Sequence, residues 1–243
     1  LNQLKNLIKS ATTLVSIMHV NNETGQILLT DELIELIGRY KNNGLPLLHS
    51  DGVQAVGKLK LNFAKLDLYS LSSHKIHGPK GIGALYVKDT REEITVQGTR
   101  VIKESRPVII KPLLTGGGQE NGMRSGTENV PAIIGFAKAL ELAYQNFPAK
   151  QNHFRRLKEF FLKRLADCPS LVINSPTNSL DAIINISITA LPAEKLAKIL
   201  ESKKIYVGLG AACATKKIVR SATLKAMGVS RQIADSSIRV SFS

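Results

Sequence analysis

Short apolar segments that end in polar residues recur through the first half of this chain. Residues 14–20, 45–49 and 67–71 each have the pattern of a buried strand with polar residues directly after it. Thr30 is predicted to cap a helix that runs to about residue 41. Strand, helix and strand in this order predict an α/β fold, a mostly parallel sheet with helices on both faces. Because ligands bind at the carboxyl ends of such strands, functional residues are expected there.

The second half of the chain has a different pattern, which predicts a second domain. An apolar run at 83–87 completes the strands of the first half. A helix is predicted from Pro131 to about 146, ended by Pro148. The predicted elements beyond it are a helix at 151–166, apolar stretches at 171–174 and 182–188, and a helix at 193–203. We therefore predict a large domain over 1–148 and a smaller C-terminal α+β domain over 149–243. Residues 88–115 are predicted to form an inserted hairpin or a flexible loop.

The amino-acid composition argues against several classes of protein. No apolar run reaches the roughly 18 to 20 residues needed to span a bilayer, and the first residues lack a secretory layout. The net charge is +14, but the lysines are spread along predicted helices without a basic block, so no direct nucleic-acid partner is expected. Two cysteines are too few for a disulfide framework. A cytoplasmic protein is expected.

The segment SSHKIHGPKG, residues 72–81, places a lysine at the end of a predicted strand. Lys75 is flanked by small hydroxyls, and such an amine suits Schiff-base formation when its pKa is lowered. The alternative is an ordinary surface loop with two lysines. His74 and His77 have the spacing HxxH, but no third ligand completes a metal site, so no metal is expected.

Asp51 and Gln54 follow the preceding predicted strand, so they are expected at the same sheet edge as Lys75. A buried aspartate keeps a pyridine nitrogen protonated, although an isolated aspartate after a strand is more often a turn residue. The same segment has the spacing GxxxxGK of a phosphate-binding loop. Leu59 stands where that loop requires Ser or Thr for magnesium, so the match is set aside.

Three further segments carry candidate chemistry. GGGQENGMRSGT, residues 116–127, combines glycines with Arg124 and two hydroxyls, which suits an anion such as phosphate. Cys213 lies in a small-residue loop that leaves its thiol accessible, whereas Cys168 follows an amphipathic helix and is expected to be structural. Arg239 alternates with apolar residues, so one strand face can present its guanidinium to a carboxylate.

These motifs together resemble the NifS/IscS-type cysteine desulfurases, which have the aminotransferase-like fold and use pyridoxal 5′-phosphate. The resemblance runs from His19 to Ser243 and is carried by six segments in order: HVNNETG, DGVQAVGK, SSHKIHGPKGIGALYV, GGGQENGMRSGT, GAACAT and SSIRVSFS. It implies an enzyme that removes sulfur from L-cysteine, leaving L-alanine and a persulfide on Cys213. The implied use is iron–sulfur cluster assembly or tRNA thiolation.

The resemblance also implies roles for individual residues. The catalytic residues would be Lys75, which forms the Schiff base, Cys213, which accepts the sulfur, and His74. Asp51 would pair with the pyridine nitrogen and Gln54 with the phenolate oxygen. The remaining implied contacts are Asn22 beside that oxygen and the substrate, Ser72 and His74 at the phosphate, Thr127 reaching the phosphate from the partner subunit of a homodimer, and Arg239 at the substrate carboxylate.

The chain departs from this pattern at its two ends. The family has an upstream segment with a histidine stacked on the cofactor and a phosphate-binding threonine, and it continues beyond RVSFG. We therefore expect a truncated chain. The alternatives are a selenocysteine lyase or other aminotransferase-like enzyme, or an inactive fragment that acts only as a partner. The expected partner is a sulfur-acceptor protein, either an iron–sulfur scaffold or a tRNA-thiolating enzyme.

Overall fold

The computed structural model describes residues 1–88, 91–96, 99–104, 108, 110–210 and 221–242. The chain divides into two compact units: Leu1–Met18 with Leu29–Tyr144, and His19–Leu28 with Gln145–Ser243. The segment His19–Leu28, which the sequence places within 1–148, thus belongs to the second unit. Backbone hydrogen bonds give the reason, since Leu180 N donates to Gly25 O over 2.8 Å and Ile27 N donates to Asn178 O over 3.2 Å.

The first unit is built on a four-stranded sheet. Its strands are β1 (Leu14–Met18), β2 (Leu47–Asp51), β3 (Leu68–Ser72) and β4 (Gly83–Val87), in that spatial order. β1, β2 and β3 pair in parallel, which confirms the predicted mostly parallel sheet. β4 pairs antiparallel with β3, because the short connection through residues 73–82 has no room for a crossover helix.

Three helices of the first unit pack on one face of the sheet. They are α1 (Asn2–Leu7), α2 (Asp31–Tyr40) and α3 (Val130–Tyr144). Their apolar side chains share a core with Val15, Leu48 and Tyr69, which point to one side of their strands. On the opposite side Met18 and Leu85 are exposed. The sequence predicts helices on both faces, whereas the helices described in this unit cover one.

The boundaries that the sequence predicts for helices and strands differ from the observed ones by a few residues at most in this unit. Thr30 caps α2 as predicted, since its Oγ1 accepts a hydrogen bond from Leu33 N over 3.3 Å. β2 begins at Leu47 rather than residue 45, because Pro46 has no N–H for the ladder. Of the two alternatives for 88–115, the hairpin is observed: β5 (Arg91–Val96) pairs antiparallel with β6 (Thr99–Glu104).

The second unit combines a three-stranded antiparallel sheet with four helices in the described residues. The strands are β7 (Leu171–Ile173), β8 (Ile183–Ile188) and β9 (Ser237–Ser241), with β8 in the centre. The helices are α4 (Phe147–Leu165), α5 (Ala193–Ser202), α6 (Ala222–Ala226) and α7 (Arg231–Asp235). Along β8, Ile184 and Ile186 pack against α4 and α5, whereas Asn185 and Ser187 point to the other face and are also buried.

Helix α4 begins earlier than the sequence predicts. Pro148 is expected to end the preceding helix, but it lies in the first turn of α4, where its missing N–H needs no partner. The predicted helix at 151–166 is therefore the main part of a longer one. None of the helices in the described ranges is both long and apolar enough to cross a bilayer.

A glycine beside the sheet provides a test of the first unit's packing. We expect Gly52→Ala to lower the free energy of unfolding by about 3 kcal/mol, since overpacking of a dense core is costly. A methyl at Gly52 would overlap Cε1 of Tyr69, whose side chain is fully buried. Urea denaturation followed by circular dichroism measures the change.

Gly38→Ala is the matched control for this substitution. Among the described residues outside its own helix, nothing lies within 4 Å of a methyl at Gly38 on α2. Since alanine is the better helix former, this variant should gain about 0.5 to 1 kcal/mol. A Gly52→Ala protein within about 0.5 kcal/mol of the wild type would contradict the packing argument.

Candidate active site

Two neighbouring parallel strands bring the predicted cofactor residues to one sheet edge. β2 ends at Asp51 and β3 ends at Ser72, with Asp51 opposite Ser70 in the register. A single 3₁₀ turn, Ser73–Ile76, follows β3 and carries His74 and Lys75. Asp51, Ser72, His74 and Lys75 therefore all follow carboxyl ends of adjacent strands, the place where α/β sheets bind ligands.

The 3₁₀ turn that carries Lys75 is held by backbone hydrogen bonds. Ser73 N donates to Ile82 O over 3.2 Å, and Gly78 N donates to Ser73 O over 3.1 Å. The Oγ of Ser72, the last residue of β3, lies 2.8 Å from Nδ1 of His74, while His74 and Lys75 are exposed. These hydrogen bonds fix the backbone that carries the amine and the imidazole, and a functional site requires such a rigid support.

Asp51 and Gln54 lie on the loop that follows β2. Oδ1 of Asp51 accepts a hydrogen bond from Val53 N over 2.9 Å, so this carboxylate also stabilises its own turn. Burial raises the pKa of Tyr69 well above its ordinary value, and the charges of Tyr144 and Asp51 raise it further. Tyr69 is therefore a neutral phenol beneath the site. The half-buried Gln54 has its Oε1 3.5 Å from Nζ of Lys58.

The functional groups at this edge suit pyridoxal 5′-phosphate. They are an amine, a carboxylate, an amide, a hydroxyl and an imidazole, from Lys75, Asp51, Gln54, Ser72 and His74 respectively. The cofactor has an aldehyde, a pyridine nitrogen, a phenolate oxygen and a phosphate, and each has a chemically matched group in this set. Thr127 is exposed in the loop before α3, so it is accessible from outside its own unit.

The second unit holds the predicted carboxylate-binding arginine. Arg239 lies on β9 opposite Asn185 of β8, and its Nη1 donates to the carbonyl oxygen of Asn22 over 2.9 Å. Its backbone N–H and C=O both pair with Gly208. Nε of Arg239 is buried and has no partner among the described residues. A buried donor without a partner is costly unless a ligand binds it, so this N–H is available to an anion.

Asn22 contacts Arg239 through its backbone, not its side chain. The sequence did not single out the polar residues that hold the turn around Asn22. Asn185 and Ser175 donate to the two carbonyls that follow, and Oε1 of Glu23 accepts from Oγ1 of Thr223 over 2.9 Å. One signal was present: in IINISI the polar residues Asn185 and Ser187 alternate with isoleucines, within a segment that is apolar enough to be buried.

His19 and Cys168 are partly buried residues outside the predicted site. Burial lowers the pKa of His19, the first residue of HVNNETG, to about 4, so its imidazole is neutral at pH 7. Cys168 is half-buried, with Sγ 3.6 Å from the Oγ of Ser170. Cys213 lies in 211–220, outside the described residues, and its role stays a prediction. Most of the predicted cofactor contacts thus belong to the first unit, whereas the predicted contacts Asn22 and Arg239 belong to the second.

Comparison with known proteins assigns the chain to a family. The family model described as aminotransferase class-V matches residues 1–243. A NifS/IcsS protein homolog of Lactobacillus delbrueckii subsp. bulgaricus is 39% identical over 98% of this chain and 58% of its own length. Cysteine desulfurase IscS of Methanosarcina thermophila is 36% identical over 98% of this chain and 55% of its own length.

A solved structure gives the same assignment. The X-ray structure of a NifS-like protein from Rickettsia africae matches with a TM-score of 0.79 at 31% identity, covering 100% of this chain and 60% of its own. The chain thus spans little more than half the length of these relatives, and it matches the family over its whole length. On this evidence the chain belongs to the class-V aminotransferase family.

Proposed function

We propose that this chain carries the main catalytic and binding residues of a pyridoxal-phosphate-dependent cysteine desulfurase. The reaction converts L-cysteine to L-alanine and leaves the sulfur as a persulfide on Cys213. The observation that carries the proposal is the sheet edge where Lys75 follows β3 and Asp51 ends β2. The family membership and the names of the relatives agree with this chemistry.

The residues of the first unit would hold the cofactor. When bound, pyridoxal phosphate supplies an electron sink for the α-carbon of an amino acid. Lys75 would attach it through the amine and move a proton at the substrate α-carbon. Asp51 would keep the proton on the ring nitrogen, and Gln54 would donate to the phenolate oxygen. Ser72 and His74 would bind the phosphate, with Thr127 contributed to the partner subunit of a homodimer.

The residues of the second unit would hold and cleave the substrate. Arg239 binds the cysteine carboxylate, because its guanidinium is held by Asn22 O and retains a buried N–H without a partner in the described residues. The Cys213 thiolate attacks the substrate sulfur. An S–S bond forms as the substrate C–S bond breaks, and the electron pair of that bond stays on carbon, which is protonated to give alanine.

The persulfide then needs an acceptor. We propose a sulfur-acceptor protein, an iron–sulfur scaffold or a tRNA-thiolating enzyme, in the cytoplasm. Since a thiol is regenerated when the outer sulfur leaves, the enzyme can turn over without an added oxidant. Trapping the persulfide on the intact protein and identifying the protein that removes its sulfur would distinguish the two acceptors.

Asp51→Asn tests the proposed function at the cofactor. We expect alanine release from cysteine to fall by about a hundredfold, because an amide cannot stabilise a protonated ring nitrogen as a carboxylate does. The fold should remain, since the asparagine Oδ1 can still accept from Val53 N. Alanine formation and thermal unfolding of the intact, cofactor-loaded protein are the measurements.

The exposed Asp31 in the first turn of α2 offers a matched control. Asp31→Asn should leave turnover within about twofold of the wild type, as expected of a surface substitution. Near-normal turnover in Asp51→Asn would mean that Asp51 is only a turn residue and would contradict its role at the cofactor.

A further inference from the structure

We propose that Asn185 is a positioning residue for the substrate carboxylate, because it fixes the turn that holds Arg239. The inference rests on the proposed function, in which Arg239 binds that carboxylate. Asn185 is 1% exposed and lies directly opposite Arg239 in the β8–β9 register. It therefore lies at the junction between the guanidinium and the turn.

Three successive carbonyls of one turn accept hydrogen bonds from side chains of the second unit. Arg239 Nη1 donates to Asn22 O over 2.9 Å, and Ser175 Oγ donates to Thr24 O over 2.6 Å. Between them, Asn185 Nδ2 lies 3.4 Å from Glu23 O. Asn22 O and Glu23 O belong to consecutive peptide units, so a bond from Asn185 that holds Glu23 O also restricts rotation at Asn22 O.

The direction of these hydrogen bonds requires an amide at position 185. Ser187 Oγ donates its proton to Ile233 O over 2.7 Å, so it accepts from Asn174 Nδ2 over 2.8 Å. The same Nδ2 of Asn174 donates to Asn185 Oδ1 over 2.8 Å. Asn185 Nδ2 is then left to donate to Glu23 O. Ionised aspartate, which has the same shape, can only accept, and leucine can do neither, whereas asparagine accepts with Oδ1 and donates with Nδ2.

The backbone of Asn185 also helps to hold the turn that contains Asn22, through Ser175. Its N–H donates to Ser175 Oγ over 2.8 Å, and that hydroxyl is the group that holds Thr24 O. On the turn itself, Asn21 Oδ1 accepts from the N–H groups of Glu23 and Thr24, each over 2.9 Å. The turn is thus held by its own Asn21 side chain and by Asn185 of β8. The hydrogen bond to Asn22 O in turn orients the Arg239 guanidinium.

Asn185→Ala tests the inference through the substrate. The variant should raise KM for cysteine about tenfold, the effect of losing one buried hydrogen bond, while kcat changes less than about threefold. Ser236→Ala is the matched control. Ser236 is buried in the same unit, but its Oγ donates to Gln232 O over 3.0 Å, outside the hydrogen bonds that hold the turn. Its KM should stay near the wild-type value at a similar loss of thermal stability.

Chemical modification of Arg239 provides a measurement that needs no turnover. Phenylglyoxal reacts with free guanidinium groups, and mass spectrometry of peptides gives its rate at each arginine. Asn185→Ala should increase the rate at Arg239 several-fold, with the exposed Arg155 as an internal reference. Ser175→Ala is a milder change at a half-buried residue and should increase the modification rate at Arg239 by a smaller factor. This variant can be measured if Asn185→Ala does not fold.

The outcomes separate the positioning role from the proposed function. If the modification rate at Arg239 and the KM in Asn185→Ala and Ser175→Ala match those of Ser236→Ala, Asn185 is merely structural and the inference is wrong. If the wild-type protein releases no alanine from cysteine, the proposed function fails. A faster reaction at Arg239 in Asn185→Ala would then still support the positioning of this guanidinium.

Discussion

Lys75→Ala is expected to lower alanine release from cysteine by at least about a thousandfold and to remove the visible absorbance of lysine-bound pyridoxal phosphate. The reason is that one amine both attaches the cofactor and moves the substrate proton. Absorbance spectra and alanine formation, measured on the intact protein after loading with cofactor, give the two values.

Lys80→Ala controls for the loss of a positive charge in the same segment. Lys80 is exposed beyond the 3₁₀ turn, so its substitution should leave absorbance and turnover within about twofold of the wild type. Lys75→Ala protein that keeps the absorbance would show that another amine binds the cofactor, and the assignment of Lys75 would be wrong.

Cys213→Ala is expected to separate cofactor binding from sulfur transfer. The variant should keep the absorbance that depends on Lys75, yet form no persulfide and release alanine at least about a hundredfold more slowly, because the nucleophile for the substrate sulfur is gone. Mass spectrometry of the cysteine peptides after reaction with cysteine detects the persulfide. Cys168→Ala, at the half-buried cysteine, should still form it on Cys213. Persulfide found on Cys168 in the Cys213→Ala protein would overturn the assignment.

The parts of the fold that the sequence predicts are those governed by local chemistry. Strands with polar residues at their ends indicated the parallel pairing of β1, β2 and β3, and the hydroxyl of Thr30 indicated the start of α2. The same strand pattern predicted that Asp51 and Lys75 lie at one sheet edge, because the carboxyl ends of neighbouring parallel strands meet there.

The parts that the sequence does not predict depend on contacts between distant residues. The direction of β4 and the partners of His19–Leu28 depend on which segments pair in the folded chain. Hydrophobic periodicity predicts the type of an element but not its pairing partner. Pro148 fits both the end of one helix and the first turn of the next, so its type alone does not decide between them. The proposed role of Asn185 follows only from its position beside Asn22, Glu23 and Arg239 in the folded chain.

The discontinuous second unit has a consequence for folding during synthesis. The chain passes from one unit to the other after Met18, after Leu28 and after Tyr144, so no single cleavage separates the units. The turn at Asn22 is translated before its partners, since Ser175, Asn185 and Arg239 follow the turn residues that they contact by 151 to 217 residues. Pairings so distant along the chain form late and slowly, because a long loop must close before they form. The ribosome must therefore release almost all of the second unit before the early turn acquires its partners.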